Sequence, residues 1–274
     1  MLPRPVCQTP HTGRRREGAA LTIGEQAAPA VARRIWGTLD TILLIFAGSA
    51  AEFALNKAVD WLFYTGALPG APVERFFETV RFAQAMVFGD PQTAAAAVRA
   101  VNAAHRHVEE QRERRIPQWA YRDTLFMLID YGERAHRIVF KPMTDAERRC
   151  SFEASRLIGE QLGIRGVPPS YAAYHSAREQ HLRHHLAHSD LTDRLYGKYE
   201  EALGPVRMAL LRDLQASLVP ARVRSLLGLR RRRYVEILLR AYRHVRGGWL
   251  LWLLSPLLLP GHGGTLRALS RPGE

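Results

Sequence analysis

The sequence predicts an all-α protein, and three observations support this fold class. Apolar residues recur at the spacing of an amphipathic helix in one segment after another. Glycine and proline separate these segments, as at Gly89-Asp90-Pro91 and Gly204-Pro205. The chain has 274 residues and 47% hydrophobic content, which is enough to bury one core. We therefore expect a single compact domain of roughly eight to ten helices.

We expect the helical domain to occupy residues 31–228, between a flexible N-terminal tail and a C-terminal extension. The tail, residues 1–30, is rich in proline and arginine and contains no apolar run. It therefore does not resemble a secretory signal, and we expect it to be disordered. The extension, residues 229–274, combines a basic helix with a stretch rich in tryptophan and leucine.

The chain carries a formal net charge of +13. Such a charge suits nucleic acid or anionic lipid, but arginines spread through helical segments are more typical of a solvated surface. No common RNA- or DNA-reading motif is present, so we do not expect nucleic acid to be a partner. Cys7 and Cys150 are the only cysteines and allow one disulfide at most, which indicates a cytoplasmic location.

The first core helix is predicted over 39–55, where an apolar run from Ile42 to Ala51 ends at Glu52. At about ten residues this run is too short to span a bilayer, which needs ~20, so we expect a buried core helix. The small side chains of 48–51 leave room for close approach by another helix or by a flat ligand.

A helical hairpin is predicted next, with helices at Val73 to Phe88 and Thr93 to Glu110. Arg75 and Thr79 lie one turn apart on a face of the first helix that also carries apolar side chains. A guanidinium on such a face needs an anionic partner, which could be a ligand carboxylate, a bound anion or a protein acid. Glu78 falls on the polar stripe, where we expect it to be solvated.

His105 falls within the apolar stripe of the second helix, whereas His107 points the opposite way. Two interpretations are open for this inward-facing side chain. One is a buried neutral imidazole that is hydrogen-bonded to a carbonyl group. The other is a metal or haem-iron ligand that faces a cavity between helices.

Two further patterns are compatible with metal binding. Glu133 and His136 form a Glu-x-x-His pair within a helix predicted over 118–140, but the second such pair that a di-iron site needs does not occur. A helix that starts near Tyr171 carries histidines whose spacing suits zinc, nickel or copper: His181, His184, His185 and His188. No carboxylate interleaves with these histidines, so a polar helix face is the favoured interpretation.

The C-terminal extension contains a basic helix over 234–245, followed by a broken apolar stretch over 247–260 that is too short to span a membrane. A basic helix beside a tryptophan-rich segment is typical of attachment to a membrane surface. Docking of this extension on the protein's own core is the alternative. An anionic membrane surface is therefore a candidate partner through residues 229–260.

Several short motifs occur in a fixed order along the chain. They are an Arg-x-x-x-Thr pair, a Phe-Gly helix end, a Val-x-x-x-His helix, a Pro-x-x-Asp-Ala-Glu-Arg segment and a Gly-Ile turn followed by Val-Pro: Arg75, Thr79, Phe88-Gly89, Val101, His105, Pro142 to Arg148, Gly163-Ile164 and Val167-Pro168. Together these motifs resemble the oxygenase MpaB family, which includes the catalytic domain of latex-clearing rubber oxygenase. The similarity extends over roughly Leu39 to Leu227.

The resemblance implies a haem b-dependent oxygenase that acts with dioxygen on an apolar substrate, which could be an isoprenoid or a lipid. It implies that His105 is the axial ligand of the haem iron and that Arg75 and Thr79 line the side where oxygen is handled. Two family stretches, Gln-x-x-His-Pro and Trp-Val-His, do not occur at the matching positions, 45–52 and 123–131. A non-enzymatic member that acts at a membrane surface, or a histidine-rich metal-binding protein, are the alternatives.

Overall fold

The computed structural model describes residues 28–64, 72–245 and 263–269. The predicted N-terminal tail up to residue 27 and the apolar stretch over 247–260 lie outside these residues. The described helices, in chain order, are α1 (Ala30–Gly37), α2 (Leu39–Phe53), α3 (Asp60–Tyr64), α4 (Pro72–Phe88), α5 (Pro91–Gln111), α6 (Gln118–Val139), α7 (Asp145–Gln161), α8 (Tyr171–His184), α9 (Asp190–Leu203), α10 (Pro205–Leu218), α11 (Ala221–Leu226), α12 (Arg233–Val245) and α13 (Gly263–Leu269).

The all-α fold class is confirmed, because the described residues contain these helices and one isolated β-bridge, between Asn56 and Leu186. The longer helices begin and end within a few residues of the predicted positions. The structure has more helical segments than expected because several are short: α1, α3, α11 and α13 have 8, 5, 6 and 7 residues. Segments of one or two turns are too short to show a helical period.

Local side-chain chemistry explains where several helices begin. The Asp90 carboxylate accepts a hydrogen bond from the Thr93 backbone N–H at 2.7 Å, and Pro91 occupies the first turn of α5. Thr144 and Glu147 form a reciprocal capping box at the start of α7. These caps satisfy backbone N–H groups that have no partner within the helix.

The centre of the fold is the packing of α2 against α6, the most extensive helix pair among the described residues. Gly48 makes this close approach possible, because a Cβ atom there would lie 2.2 Å from the ring of Tyr131. Tyr131 is fully buried, and its hydroxyl donates a hydrogen bond to Glu52 at 2.8 Å. The predicted close approach of another helix is confirmed at Gly48, while Ser49 and Ala50 line a cavity.

None of the described helices is by itself long and apolar enough to cross a membrane. Only α1 and α2 taken together pass that test, and the chain bends by 80° between them. Most side chains of α2 are buried in the protein, as expected for a core helix.

The described part of the C-terminal extension is an amphipathic helix with one face on the protein. Val235 in α12 is buried, and the Tyr242 hydroxyl donates a hydrogen bond to Asp40 at 3.0 Å. The other face exposes Tyr234, Ile237 and Leu238, at 50%, 63% and 62% of their side-chain surface. The basic helix thus docks on the core and still presents an apolar strip to solvent.

We expect Gly48→Ala to destabilise the protein by about 1–3 kcal/mol, because the new methyl group overlaps a buried ring that cannot move away. Gly197→Ala is the matched control, since a Cβ at Gly197 in α9 meets nothing within 4 Å. There the loss of backbone freedom in the unfolded chain predicts a gain of about 0.5–1 kcal/mol. Urea denaturation of both variants checks the pair, and equal changes in stability would contradict the close approach.

Candidate functional site

A large cavity of about 1930 Å³ lies among the core helices. This volume exceeds the roughly 300–1,000 Å³ that is typical of small-molecule sites. Its walls are predominantly apolar, and they include side chains from α2, α4, α5 and α6: Phe46, Ala50, Phe53, Phe76, Phe82, Ala97, Val101, Ala104, Val108, Tyr121 and Leu128. The space can hold a large flat group together with an apolar molecule beside it.

Helix α5 contributes an apolar stripe to this cavity and packs only part of it against other helices, where Val108 contacts the cluster of Ala58, Trp61 and Ala120. Ala94 is the one buried residue of its 21 residues. Ala97, Val101, Ala104 and Val108, which form the stripe predicted from the sequence, line the open space. The rest of this stripe lines the cavity, so a ligand bound there would contact it.

His105 lies within that stripe and also lines the cavity. Its ring contacts the ring of Tyr121, with centroids 4.9 Å apart. Burial lowers the pKa of His105, the nearby positive charge of Arg75 lowers it further, and Glu109 opposes this shift. The imidazole is therefore neutral near pH 7 and keeps a free lone pair, which is the form that binds iron.

The carbonyl-bonded interpretation of His105 is not supported in the part of the chain that the structure describes. No described residue forms a hydrogen bond with its ring nitrogens. A partly buried imidazole without a protein partner, beside an open cavity, is available to a ligand.

Arg75 and Thr79 line the same cavity as His105. The Arg75 guanidinium pairs with Glu78 at 2.7 Å, and both side chains are about half exposed, at 44% and 55%. The anionic partner that the sequence requires for Arg75 is thus a protein acid. The Thr79 hydroxyl donates a hydrogen bond to the Arg75 carbonyl at 2.9 Å, which leaves its oxygen free to accept one.

A second constellation of polar side chains is buried around Glu52, which is 0% exposed. Both of its carboxylate oxygens accept hydrogen bonds from the guanidinium of Arg178, one of them at 2.6 Å. Arg178 also bonds to Asp130 at 2.8 Å. Burial alone would raise the pKa of Glu52, but Arg178 and His181 outweigh it and hold the pKa at about 2.

The same network continues through His181 to Asp123 and His185. One ring nitrogen of His181 lies 2.7 Å from Glu52, and the other lies 2.8 Å from Asp123. The Nδ1 of His185 lies 2.6 Å from the same oxygen of Asp123. Burial lowers the pKa of His181, but its hydrogen bonds to Asp123 and Glu52 more than compensate and raise it.

The prediction that four histidines share one polar helix face is therefore wrong. Helix α8 ends at His184, and His181 is buried at 1% exposure. His188 lies beyond the helix and pairs with Asp193 at 3.2 Å. The missing carboxylate comes from α6, a different helix, so no spacing within α8 could reveal it.

Glu133 and His136 do not form a metal site in the structure. Glu133 accepts a hydrogen bond from the Tyr171 hydroxyl at 2.9 Å. His136 contacts the Lys141 carbonyl at 2.9 Å and the Arg34 guanidinium at 3.3 Å. The two side chains have separate partners, and the di-iron alternative lacks support.

Sequence reasoning missed Glu52, Asp123, Asp130 and Arg178. Glu52 carried the one usable signal, because a carboxylate at the end of a buried apolar run requires a partner. Arg178 and Asp130 come from distant parts of the chain, and no local pattern distinguishes them from surface charges.

Comparisons with known proteins identify the family to which the chain belongs. No curated protein and no solved structure gives a significant match to this chain. One family model matches residues 33–247, which is most of the chain and contains Arg75, Thr79 and His105. The chain therefore belongs to the family of the ER-bound oxygenase mpaB/B' and rubber oxygenase catalytic domain.

Proposed function

We propose that this chain is a haem b-dependent oxygenase, with His105 as the axial ligand of the haem iron. The observation that carries this proposal is the convergence of Arg75, Thr79 and His105 on one open apolar cavity. The family is one of oxygenases, so membership supports an oxidoreductase. That the cofactor is haem b, and that these residues have the roles given below, is proposed here.

The residues present fit a haem group. Helix α5 offers a partly uncovered apolar stripe, and its neutral imidazole has no hydrogen-bond partner among the described residues. Ser49 and Ala50 on α2 give a wall of small side chains, which lets a flat ring approach closely. Bound haem would supply an iron centre for dioxygen chemistry, and the protein would supply orientation and a dry environment.

Arg75 and Thr79 would act as pocket residues near the reacting oxygen. The half-exposed guanidinium brings a fixed positive charge to a predominantly apolar cavity wall. Positive charge and a hydroxyl group stabilise negative charge that develops on a nearby oxygen atom. Glu78 neutralises part of this charge, because it pairs with Arg75.

The substrate would be an apolar small molecule. Aromatic and aliphatic side chains from several helices dominate the cavity wall, and such walls bind apolar surface with few hydrogen bonds. The volume leaves space for this molecule beside the cofactor. An isoprenoid or a lipid chain has this chemistry.

Replacement of His105 by alanine should abolish haem binding. Wild-type protein that is expressed with haem available should show a Soret absorption band, and His105→Ala should show at most about a tenth of it, because an axial imidazole bond is lost. His184→Ala is the control, since His184 is exposed and does not belong to the cavity wall. Added imidazole should restore the band in His105→Ala. A folded, colourless wild type or equal bands in the two variants would refute the proposal.

Replacement of Arg75 by leucine should leave haem loading unchanged and weaken the binding of an anionic ligand to the ferric protein. We expect cyanide to bind about threefold to tenfold more weakly, because a half-exposed positive charge is lost from the pocket. Thr79→Val should have a smaller effect in the same direction. Arg99→Leu is the control, since Arg99 is exposed and is not part of the cavity wall. Titrations followed at the Soret band decide the matter, and equal affinities in all variants would exclude a pocket role.

We also propose that α12 attaches the protein to an anionic membrane surface. Its exposed strip of Tyr234, Ile237 and Leu238 stands beside a run of four arginines, 230–233. An apolar strip with flanking cations binds anionic lipid through both burial and charge. This role is compatible with an apolar substrate that resides in a membrane.

The double variant Ile237→Ser, Leu238→Ser should reduce co-flotation with vesicles that contain phosphatidylglycerol by about tenfold. The reason is that it removes both apolar side chains that would be buried in the lipid. Added salt should weaken binding by the wild type. The double variant Val206→Ser, Leu210→Ser is the control, since these side chains are exposed to a similar degree but belong to α10. Wild-type protein that does not float, or identical flotation of both double variants, would rule out α12 as the anchor.

A further inference from the structure

Three side chains on the other side of α6 converge on a point that can hold a metal ion. They are Asp123, His181 and His185, and each offers a ligand atom that lies within 4.8 Å of the other two. Asp123 and His181 are each only 1% exposed, and His185 retains 28% of its side-chain surface. The cluster is therefore closed toward the core and open to solvent at one edge.

The backbone holds His185 in place before any ligand arrives. This residue follows the last turn of α8, and its carbonyl accepts a hydrogen bond from the Lys57 N–H at 2.9 Å. The N–H of Ala187 donates to the Leu55 carbonyl at 2.8 Å. The ring of Trp119 lies against the His185 ring, with centroids 4.6 Å apart. A ligand that is fixed in this way loses little conformational freedom on binding.

Glu52 orients His181 as an outer carboxylate orients the ligand of a metal ion. It lies 2.7 Å from the Nε2 of His181, where the ring N–H donates to it. The other nitrogen, Nδ1, then presents its lone pair to Asp123. Carboxylate, imidazole and metal in this order form a recurrent arrangement in metalloproteins.

The contact between His181 and Asp123 is close, but it lacks good hydrogen-bond geometry. Their atoms Nδ1 and Oδ2 lie 2.8 Å apart, yet Nδ1 has no hydrogen-bond partner of acceptable geometry among the described residues. The second carboxylate oxygen of Asp123, Oδ1, is also buried without a partner in the described structure. A cation between these atoms would satisfy both residues.

The charge balance of the network leaves Asp123 without a counter-charge from arginine or lysine. Arg178 forms ion pairs with Glu52 and Asp130, and Arg134 forms an ion pair with Asp130. Within the described ranges, the ion-pair partners of Asp123 are His181 and His185 alone. A buried carboxylate needs such compensation, which a divalent ion provides together with two neutral imidazoles.

We propose that Asp123, His181 and His185 bind a divalent first-row transition-metal ion, with zinc as the simplest occupant. Two imidazoles and one carboxylate are a donor set for zinc or ferrous iron, and both ions commonly keep further positions for water. An ion with bonds of about 2.0–2.1 Å separates tetrahedral ligand atoms by roughly 3.3 Å, so the present contacts open by about half an ångström on binding. The partly exposed side chain of His185 gives water and metal a path to the site.

This metal site is independent of the proposed haem site. None of its three residues belongs to the cavity wall, although their neighbour Thr124 does. Helix α6 thus has the cavity on one face and the histidine cluster on another. Haem contains no zinc, so a zinc measurement succeeds or fails without reference to the Soret band.

The test is equilibrium dialysis of tag-free full-length protein against zinc sulfate, after treatment with chelator, with elemental analysis of zinc per chain. We expect one tightly bound zinc ion and a higher melting temperature in its presence. Asp123→Asn and His185→Gln should each weaken zinc binding by about a hundredfold or more, because each removes one of three protein ligands. His184→Gln is the matched control, since His184 is exposed on the same helix and lies outside the cluster.

Circular dichroism shows whether each variant is folded, and His185→Gln keeps the test decisive if Asp123→Asn does not fold, because His185 is partly exposed. Stoichiometric zinc in the wild type and in His184→Gln, with its loss in His185→Gln, supports the site. Weak binding that is equal in the wild type and in all folded variants would overturn the proposal. His181 would then be an imidazolium that bridges Glu52 and Asp123.

Discussion

The buried ion pair between Glu52 and Arg178 is the interaction on which the rest of the structure depends. It joins the end of α2 to the middle of α8, and Asp130 and Tyr131 attach α6 to the same pair. Removal of one member of such a pair leaves an unpaired buried charge, at a cost of about 3–5 kcal/mol. Since Tyr131 is fixed by Glu52, its ring sets how closely α6 approaches Gly48, and this approach in turn places Ser49 and Ala50 at the cavity.

Helix α6 separates two regions of opposite character. Tyr121, Thr124 and Leu128 face the apolar cavity, whereas Asp123 and Asp130 belong to the buried charged network. Adjacent residues of one helix can serve both regions because they point about 100° apart. The network pairs Glu52 and Asp130 with Arg178, whereas at the cavity Arg75 pairs with Glu78 and both side chains remain about half exposed.

Prediction from sequence succeeded where local patterns determine the structure. The Gly89-Asp90-Pro91 break marked the junction of α4 and α5, and the apolar stripe of α5 placed His105 on the side of the helix that lines the cavity. Arg75 and Thr79 lie beside it in space, but their chemical role came from family resemblance and stays a proposal. The charged network could not be predicted, because Glu52, Asp123 and Arg178 come together only through tertiary packing. The prediction of one polar face with four histidines failed for the same reason. Helix α8 ends at His184, so His185 and His188 lie beyond the helix, and His188 pairs with Asp193 while His181 and His185 contact Asp123.

The weak packing of α5 links the proposed cofactor to the fold itself. A helix of 21 residues with a single fully buried side chain buries less of its surface than the core helices α2 and α6. The part of its apolar stripe that lines the cavity, together with His105, would contact a ligand bound there. A group that binds only the folded state adds its binding free energy to stability. On the proposed function, haem would therefore stabilise α5 more than the helices that already pack in the core.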